Sequence, residues 1–501
     1  MATTRIKPYL FVIVGGTGDL ARRKLLPAFY RLLTEGNAAG RGRVLGVARQ
    51  ELDDDGYRAL MVDALADAGL DHDLEEWCRT HLFYHRLPDA TPKGYAALAA
   101  RIEQLEEQED LPGNRVFYLS IPPEVFDDTV HGFGAAGLNR SDGWTRLVVE
   151  KPFGSDLESA RRLNALLHEH FDESQIYRID HYLGKETVQN LLAFRFANPI
   201  FEHVWNRDRV ERVEIVVAEE LGVEGRAGYY EGAGALRDMI QNPLTQLMTL
   251  VAMEVPARFD AAAIRFEKTK VLSAIEPIAT GDVIFGQYGE GTIDGEKVPS
   301  YRQEQGVRSN SATETFAAVK LQIANWRWQG VPFILRTGKR LPRRLSQIAV
   351  VFRRPPIALF ERMHCEEVHP NVLLITIQPD EGFSLGFEVK VPGEGYVLRK
   401  QHLHFRYDES FGRLPEAYET LLLDIITGDQ TLFVHAEEAE KSWELYTPLL
   451  DRRIAVKQYP AGTWGPESAD ELLHLDEGDY MLPAIAEAEL ANGDDEDAKE
   501  Q

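Results

Sequence analysis

The sequence predicts two domains of different class: an α/β N-terminal domain with a doubly wound, mostly parallel sheet, and an α+β C-terminal domain with a large, mainly antiparallel sheet. Strand-like and helix-like segments alternate in the first third of the chain, whereas strand-like segments follow one another with few helices after about residue 180. The chain has 501 residues, more than one hydrophobic core usually supports. We therefore expect domains at residues 5–180 and 181–490, followed by a disordered acidic tail at 491–501.

The first element is the apolar run from Tyr9 to Val14, which is typical of a strand covered on both faces of a parallel sheet. It leads directly into GGTGDLARRKLLPAFYRLL, where Gly16, Gly18 and Ala21 match the spacing of the dinucleotide-binding fingerprint. The glycines would let the backbone turn tightly beside a pyrophosphate, and the helix N-terminus would offer N–H donors. A Rossmann-like, nucleotide-binding domain is therefore expected.

The second strand, RVLGVAR at residues 43–49, ends where dinucleotide enzymes distinguish NAD from NADP. An acid at this place binds the ribose hydroxyls of NAD, whereas an arginine suits the 2′-phosphate of NADP. Arg49 stands there, which favours NADP. Two alternatives stay open, since Glu51 could be the acid and Arg49 could be an ordinary surface residue.

Two further strands complete the predicted parallel sheet: RVFYLSIPP at residues 115–123 and TRLVVEKPFG at residues 145–154. Helical segments such as YAALAARIEQLEEQ lie between the strands, as a doubly wound topology requires. Ligands of such sheets bind at the carboxyl ends of the strands. Residues 120–123 and Lys151 emerge at those ends, so we expect the ligand to lie there.

The second part of the chain has the alternating pattern of a large antiparallel sheet. The strand-like segments are RVEIVVAEE, AAVKLQIANWRW, SQIAVVFRR, VLLITIQP and SLGFEVKVP. Helices are expected around ALRDMIQNPLTQLMTLVAME and PEAYETLLLDIITGD. The two patterns together predict the α+β class for this part.

The composition narrows the class of partner. A formal net charge of −25 argues against nucleic acid and anionic membrane surfaces, because both would be repelled. An anionic substrate would need a local cluster of cationic side chains. Cys78 and Cys365 are too few for a disulfide framework, and MATTRIKPYLFVIV contains too short an apolar run for a signal peptide or a membrane span. A cytoplasmic protein is therefore expected.

Several motifs, in chain order, resemble those of the glucose-6-phosphate dehydrogenase family: GGTGDLARRK, EKPFG, RIDHYLGKE, EGRAGYY with LRDMIQN, NWRWQGVPFILRTGKRL and GDQTLFV. The resemblance runs from about residue 9 to residue 475. It implies an oxidoreductase that transfers a hydride from C1 of glucose 6-phosphate to NADP and gives 6-phosphogluconolactone, the first step of the pentose phosphate pathway. It also implies a homodimer or homotetramer built through the C-terminal sheet, without a metal ion.

The motif RIDHYLGKE would by itself be interpreted as a solvated turn. The resemblance implies that His181, Tyr182 and Lys185 bind the substrate phosphate, for which cationic and hydroxyl donors are suited. It places Asp180 beside the reacting end of the sugar and Lys151 between the sugar and the nicotinamide. Asp180 and Lys151 are therefore the predicted catalytic residues, although Lys151 could be an ordinary turn lysine.

The resemblance also implies substrate-binding residues in the second domain: Glu219, Asp238, Lys339, Arg344 and Gln378. Lys339 and Arg344 would close on the substrate, and the other three would bind the sugar hydroxyls. Alternatives stay open for several of them. Lys339 could be an exposed lysine after a strand, and Arg343 could take the place of Arg344. Either carboxylate could be structural, as in a local pair of Asp238 with Arg237.

The cofactor would be held by the glycine-rich loop and by polar residues around it. The predicted cofactor-binding residues are Gly15, Gly16, Thr17, Gly18, Asp19, Leu20, Lys24, Arg49, Asp89 and Lys151. Lys24 and Arg49 match positions of the family, and Asp89 does so more loosely.

One position departs from the family. The family places a general-base histidine after Gln-Asn in RDxxQNH, whereas this chain reads RDMIQNP and has Pro243 there. General-base catalysis contributes about 10²–10⁴-fold, so turnover could be slow, with Asp180 or His203 as a substitute base. Proline also predicts a kink or break of the surrounding helix at Gln241–Asn242. A catalytically silent homologue that binds NADP and sugar phosphate, or a dehydrogenase of another sugar phosphate, stays an alternative.

Overall fold

The computed structural model of the chain describes residues 6–34, 42–357, 359–360, 368–393 and 396–473. The chain divides into two compact units. Unit 1 comprises Met1–Lys185, Arg258–Arg265 and Pro415–Glu440, and unit 2 comprises Glu186–Ala257, Phe266–Leu414 and Lys441–Gln501. The predicted domain limits, 5–180 and 181–490, do not assign the later segments Arg258–Arg265 and Pro415–Glu440 to the first domain. These limits stay a prediction. The predicted tail at 491–501, like Cys365, lies outside the described residues.

The described residues form both strands and helices in each unit. The strands, in chain order, are β1 (Tyr9–Val14), β2 (Gly42–Ala48), β3 (Leu82–Arg86), β4 (Arg115–Leu119), β5 (Thr145–Glu150), β6 (Ile176–Ile179), β7 (Val210–Ala218), β8 (Val283–Gly289), β9 (Gly291–Ile293), β10 (Glu296–Val298), β11 (Phe316–Gln322), β12 (Pro332–Gly338), β13 (Leu345–Phe352), β14 (Val372–Gln378), β15 (Gly382–Lys390), β16 (Leu398–Arg406) and β17 (Val456–Pro460). The helices are α1 (Leu26–Thr34), α2 (Asp54–Asp67), α3 (Leu74–His81), α4 (Pro92–Gln108), α5 (Phe126–Ala135), α6 (Leu157–His170), α7 (Glu186–Ala197), α8 (Pro199–Glu202), α9 (Ala227–Ala235), α10 (Thr245–Ala252), α11 (Ala261–Ser273), α12 (Tyr407–Phe411), α13 (Ala417–Thr427) and α14 (Ala436–Leu450). Two π-helical segments, Ala21–Leu25 and Leu236–Leu244, run directly into α1 and α10. Within the described ranges, every helix is too short or too polar to cross a membrane.

The sheet of unit 1 is parallel throughout, in the strand order β3-β2-β1-β4-β5-β6. Every residue of β1 is buried, as its uninterrupted apolar sequence predicts. The strand order reverses at β1, which lies between β2 and β4. The predicted α/β class with a doubly wound, mostly parallel sheet is confirmed.

The register of β5 and β6 fixes two predicted catalytic residues. Glu150, the last residue of β5, lies opposite Ile179, the last residue of β6. Parallel strands in this register end together at one edge of the sheet. The next residues along the chain, Lys151 and Asp180, therefore leave that edge as neighbours.

Residues 415–440 return to unit 1 from the C-terminal part of the chain. Leu421 and Ile425 of α13 are buried in the same hydrophobic cluster as Phe29 of α1. Arg146 of β5 donates from Nη1 to the carbonyl oxygen of Ile426 at 2.7 Å. The helix expected at PEAYETLLLDIITGD thus exists as α13, and it packs in the core of unit 1 with the parallel sheet.

A buried ion pair also holds this returning segment. The Arg178 side chain of β6 is 0% exposed and donates from Nη1 to Glu173 Oε1 at 2.6 Å. The same oxygen accepts the N–H of Ala436 at 3.0 Å. Burial alone would raise the pKa of Glu173, but the charge and hydrogen bonds of Arg178 outweigh it and lower that pKa to about 2. Val434 forms an isolated antiparallel bridge with Arg178.

The large sheet of unit 2 has nine strands in the order β16-β15-β14-β13-β7-β12-β11-β8-β17. Neighbouring strands are antiparallel except for the pairs β7–β12 and β8–β17. The predicted large, mainly antiparallel sheet is therefore confirmed. Gly338 at the end of β12 and Leu345 at the start of β13 both lie opposite Ala218, the last residue of β7. Residues just beyond these ends consequently share one edge of the sheet.

Candidate active site

A glycine-rich turn joins β1 to the first helix of unit 1. Gly15 has a φ of +89°, and a Cβ at this position would lie 2.0 Å from the carbonyl oxygen of Ser120. A Cβ on Gly16 would lie 2.7 Å from the Cα of Gly46. The N–H groups of both glycines donate to the carbonyl oxygen of Val47, at 2.8 and 3.1 Å. The main chain therefore runs too close to β2 and to the end of β4 for any other residue type.

The turn continues directly into helix through the next predicted cofactor residues. The N–H of Gly18 donates to the carbonyl oxygen of Gly15 at 2.8 Å and closes the turn. Thr17 is partly exposed. Asp19 is exposed and forms an ion pair of 2.8 Å with Arg23, one helical turn later. Leu20 packs, partly buried, against the core of unit 1. The helix thus begins within a few residues of the glycines, which gives the turn the N-terminal donors that bind phosphate groups.

Two stacked tyrosines support this turn, and the sequence analysis did not identify them. The rings of Tyr57 and Tyr84 are 5.1 Å apart. The hydroxyl of Tyr57 donates to the carbonyl oxygen of Gly16 at 3.2 Å, and the hydroxyl of Tyr84 donates to that of Gln50 at 2.8 Å. The pair therefore connects the glycine-rich turn to the segment that carries Arg49.

The end of β2 carries the residues that are expected to distinguish NADP from NAD. Arg49 is exposed there. Glu51, the alternative acid for the ribose of NAD, forms an ion pair of 3.5 Å with Arg86 at the end of β3. Asp89 accepts a hydrogen bond of 2.8 Å from the hydroxyl of Thr91, the N-cap residue of α4. Glu51 is thus paired with a cation, whereas Asp89 takes part in the local turn before α4.

Lys24 lies on the helix that follows the turn and has an anionic partner. Its Nζ donates to Glu416 Oε2 at 3.2 Å, and Arg31 Nη1 donates to Glu416 Oε1 at 3.0 Å. Burial raises the pKa of Glu416, but the two cations outweigh this effect and the pKa is lowered. Because half of the Lys24 side chain is exposed, an anionic ligand can reach it in competition with Glu416.

The motif RIDHYLGKE forms a buried turn, so its interpretation as a solvated turn is wrong. Asp180 is 0% exposed and accepts the N–H of Tyr182 at Oδ1, at 3.0 Å. Tyr182 is buried as well, while His181 and Lys185 are partly buried. A Cβ on Gly184 would lie 2.7 Å from the main chain of α13, so the turn packs closely beneath that helix. The structure thereby brings the three predicted phosphate-binding residues next to Asp180.

Four predicted substrate residues meet in two pairs at one edge of the large sheet of unit 2. Lys339, after β12, forms an ion pair from Nζ to Oε2 of Glu219, after β7. Arg344, before β13, donates from Nη2 to Gln378 Oε1 at 2.9 Å, and Gln378 Nε2 donates to the Ser346 hydroxyl at 2.8 Å. Lys339 is only 8% exposed, so its interpretation as an exposed lysine is wrong.

Tyr230 is a buried phenol beside this edge, and no pattern in the sequence indicated it. The Nζ of Lys339 lies 5.1 Å from the centroid of the Tyr230 ring. Burial raises the pKa of Tyr230 well above its usual range, and the charges of Asp238, Glu219 and Glu314 raise it further. The negative charges of these three carboxylates therefore act on one buried phenol. Tyr230 lies in the EGRAGYY motif, but residue type alone gave no sign that carboxylates converge on it.

Glu314 holds the start of the helix that carries Asp238. Its carbonyl oxygen accepts the N–H of Ala235 at 3.0 Å, and its Oε1 accepts the N–H of Leu236 at 3.2 Å. Burial raises the pKa of this carboxyl group. Gly234 has a φ of +65°, and a Cβ there would lie 2.3 Å from Glu314 Oε1. The glycine thus permits the carboxylate to reach the helix N-terminus.

The helix does not restart at Asn242, so of the predicted kink or break at Gln241–Asn242 the break is wrong, while the kink stays a prediction. Leu236–Leu244 is π-helical and continues into α10, with the N–H of Thr245 donating to the carbonyl oxygen of Ile240, five residues earlier. Proline lacks the N–H that an α-helical turn requires, and a π-helical segment is a known way to absorb such a defect. Side chains reinforce it, because Thr245 Oγ1 donates to the Ile240 carbonyl oxygen at 2.6 Å.

The alternatives for single residues have different outcomes. His203, the other candidate base, is exposed directly after α8, and its carbonyl oxygen accepts Asn206 Nδ2 at 3.0 Å. Arg237 donates from Nη1 to the carbonyl oxygen of Ala233 at 3.4 Å, within its own helix. Arg343 is partly buried beside the exposed Arg344. None of these three observations assigns a function to the residue concerned.

Two family models match the chain, one after the other. The model described as glucose-6-phosphate dehydrogenase, NAD binding domain, matches residues 12–190. The model described as glucose-6-phosphate dehydrogenase, C-terminal domain, matches residues 192–481. Together they cover nearly the whole chain.

Individual relatives and solved structures give the same result. A glucose-6-phosphate 1-dehydrogenase of Aggregatibacter actinomycetemcomitans is 44% identical over 92% of this chain and 95% of its own. The glucose-6-phosphate 1-dehydrogenase of Chlamydia muridarum is 42% identical over 94% of this chain and 96% of its own. A solved structure described as glucose-6-phosphate dehydrogenase in complex with its substrate glucose-6-phosphate has a TM-score of 0.86 and 37% identity, covering 95% of this chain and 98% of that one. The Mycobacterium avium enzyme has a TM-score of 0.80 and 34% identity, covering 93% and 97%.

Replacing Gly234 by alanine should destabilise the helix that carries Asp238, because the new Cβ would meet the Glu314 carboxylate in a strained backbone conformation. A residue forced into such a conformation costs about 1–3 kcal/mol, so the thermal unfolding midpoint of the variant should fall measurably. Gly232→Ala is the matched control, since a Cβ there meets nothing within 4 Å in the same helix. Equal midpoints for the two variants would contradict this account.

Proposed function

Because the chain belongs to the glucose-6-phosphate dehydrogenase family, we propose that it oxidises glucose 6-phosphate at C1 to 6-phosphogluconolactone with NADP as the hydride acceptor. The observation that carries the proposal is the edge of the parallel sheet in unit 1. The glycine-rich turn after β1 and the pair Lys151 and Asp180 after β5 and β6 all lie at the carboxyl ends of the strands. A nucleotide site and a polar catalytic pair therefore share one edge.

The residues around the glycine-rich turn fit NADP. Gly15 and Gly16 leave the main chain bare where side chains would exclude a pyrophosphate, and the helix from Asp19 onward provides N–H donors. Arg49 suits the 2′-phosphate, with Glu51 neutralised by Arg86. Gly15 to Leu20, Lys24, Arg49 and Lys151 are the residues proposed to hold the cofactor, with Asp89 as the weakest member. When bound, NADP accepts the hydride that leaves C1.

We assign the substrate phosphate to the turn after β6. His181, Tyr182 and Lys185 supply imidazole, hydroxyl and ammonium donors within five residues, in a turn that is mostly buried. Such a set compensates a phosphate dianion locally, although the chain as a whole has a net charge of −25. Asp180 begins this turn, so its carboxylate is the group proposed to accept the proton of the C1 hydroxyl. Lys151 is proposed to position the sugar beside the nicotinamide.

In unit 2 the polar edge of the large sheet supplies the remaining proposed contacts. Glu219 and Asp238 are carboxylates suited to accept hydrogen bonds from sugar hydroxyls, and Gln378 can both donate and accept. Lys339 and Arg344 are cations suited to the phosphate or to hydroxyl oxygens. All five make hydrogen bonds or ion pairs within unit 2, Asp238 by accepting from the Tyr229 hydroxyl at 3.2 Å, so their side chains are held in place.

The catalytically silent alternative depends on Pro243 alone. The π-helical segment accommodates this proline without a break in the helix. A buried carboxylate, Asp180, is available in unit 1 as a base. Turnover is therefore the function that the structure supports better, and glucose 6-phosphate is the substrate that the relatives support.

We also propose a cytoplasmic homo-oligomer, built through the large sheet of unit 2. The edge strand β16 and the segments beside it expose apolar side chains, including Leu403 at 62% and Phe411 at 71%. Exposed apolar residues on an unpaired edge strand favour association with a second copy. The small number of cysteines supports a reducing compartment.

Lys185→Ala should raise the KM for glucose 6-phosphate about tenfold or more, because a charge-assisted contact contributes roughly 1.5–3 kcal/mol. The measurement is the rate of NADPH formation as a function of sugar concentration. It is made on native protein first and then on the variant. The KM for unphosphorylated glucose should hardly change. Lys297→Ala, on the exposed strand β10, is the control. An unchanged KM for the phosphorylated sugar would show that this turn is not the phosphate site, and binding without any NADPH formation would identify a silent homologue.

Arg49→Ala should remove most of the preference for NADP over NAD. We expect native protein to bind NADP at least about tenfold more tightly than NAD, because the guanidinium group pairs with the 2′-phosphate. Titration of both nucleotides into native and variant protein measures the preference. Arg162→Ala, on the exposed face of α6, should leave it unchanged. Equal affinities of native protein for the two nucleotides would refute the assignment.

A further inference from the structure

The side chains of His131, Glu169 and His170 come together on the surface of unit 1. His131 lies on α5, whereas Glu169 and His170 are the last two residues of α6. Each side chain offers one ligand atom, a ring nitrogen or a carboxylate oxygen, and these atoms lie within 4.8 Å of one another. His131 and Glu169 are exposed, and His170 is partly buried. Two imidazoles and a carboxylate from two helices therefore converge on one accessible point.

The two imidazoles are spaced much as ligands of one metal ion are. His131 Nδ1 lies 3.0 Å from His170 Nε2, and the rings are nearly perpendicular, at 88°. Two nitrogens bound to Zn²⁺ at tetrahedral angles, each at about 2.0–2.1 Å from the ion, lie about 3.3 Å from each other. A hydrogen bond between two neutral imidazoles fits the observed distance as well, but it does not require the carboxylate of Glu169 beside them.

Contacts with α5 and with the segment after it hold His170 in place. Its carbonyl oxygen accepts Asn139 Nδ2 at 2.6 Å, at the C-terminal end of α6. Its ring lies against Gly134 of α5, where a Cβ would be only 2.2 Å from Nδ1 of His170. The glycine therefore leaves room for the ring in the orientation that turns Nε2 towards His131.

The three side chains lie apart from the catalytic edge of unit 1. Helix α6 connects the parallel strands β5 and β6, so its last residue, His170, lies towards the edge of the sheet where β6 begins. The glycine-rich turn and Asp180 lie at the opposite edge, where the strands end. An ion at His170 would consequently act on the packing of two helices and not on the reacting atoms.

We propose that His131, Glu169 and His170 bind a divalent cation of the Zn²⁺ class, which joins α5 to α6 as a structural site. Imidazole nitrogens and carboxylate oxygens are ligands of Zn²⁺, and water can take the fourth position. The charge favours a cation, because Asp127 is exposed one helical turn before His131 and the chain has a net charge of −25. The inference does not rest on the proposed function, since it concerns stability and not hydride transfer.

Zinc binding by metal-free protein that carries no histidine tag tests the site. Calorimetric titration with ZnCl₂ should show one tight site per chain. The thermal unfolding midpoint should rise with Zn²⁺ concentration, because an ion that binds the folded state stabilises it by mass action. The same concentrations of Mg²⁺, which prefers oxygen ligands, should leave the midpoint unchanged. An equal rise with both ions, or no Zn²⁺ binding, would overturn the inference.

Three variants show whether these side chains hold the ion. His131→Ala removes a ligand and should weaken Zn²⁺ binding about hundredfold or more, since losing even a partner of a metal ligand costs about 10–100-fold. Gly134→Ala removes no ligand but displaces the ring of His170, so Zn²⁺ binding should weaken about tenfold or more. His168→Ala is the matched control and should bind Zn²⁺ as native protein does, because this exposed histidine of α6 contacts Glu173 at 2.7 Å instead.

The comparison of affinities decides the outcome. Equal Zn²⁺ affinities of native protein and His131→Ala would overturn the inference, and so would a loss in His168→Ala as large as that in His131→Ala. His131 is exposed, so its replacement should leave a folded protein. If that variant does not fold, Gly134→Ala decides: weakened binding supports the site, and native affinity overturns it.

Discussion

The parallel register of β5 and β6 is the constraint on which the chemistry of unit 1 depends. It brings the last residues of both strands opposite each other, so that Lys151 and Asp180 leave the same edge of the sheet. The glycine-rich turn after β1 reaches the same edge, because all six strands run in one direction. A glycine-rich turn, a lysine and two carboxylates are thereby collected from separate segments between Gly15 and Asp180.

The returning segment at residues 415–440 completes this edge. It provides Tyr418 to Glu150, Glu416 to Lys24, and the main chain against which Gly184 packs. The buried ion pair of Arg178 with Glu173 holds the segment by its other end. In unit 2, polar side chains are likewise brought together at one edge of a sheet. The parallel strands β7 and β12 end at this edge, where the antiparallel strand β13 begins, so Glu219, Lys339 and Arg344 emerge together.

Much of this could be predicted from the sequence, because it depends on local pattern. Patterns of a few residues were enough to predict three features: the buried strand β1 from its apolar run, the glycine-rich turn from the spacing of Gly16 and Gly18, and the later strands from their alternation. Contacts between distant segments could not be predicted in this way. Nothing in the sequence around Tyr418 indicates that its hydroxyl meets Glu150, and the sequence of α13 does not reveal which sheet the helix packs on.

Proline supplies the clearest lesson about local rules. The expectation of a kink or break at Gln241–Asn242 assumed that the helix around Pro243 must be α-helical. The chain instead adopts a π-helical segment, and the hydroxyls of Thr245 and Ser442 donate to the carbonyl oxygens of Ile240 and Gln241. The backbone departs from helical geometry at Gly234, where no side chain competes with Glu314. Propensity predicted a defect correctly, but the tertiary contacts decided its form.

The central claim is that Asp180 accepts the proton of the substrate, and the kcat of Asp180→Asn for NADPH formation tests it most directly. Asparagine retains an oxygen for the N–H of Tyr182, so the turn can keep its structure. We predict a fall in kcat of about 10²–10⁴-fold with unchanged affinity for NADP. A kcat equal to that of native protein would contradict the claim and would place the base elsewhere.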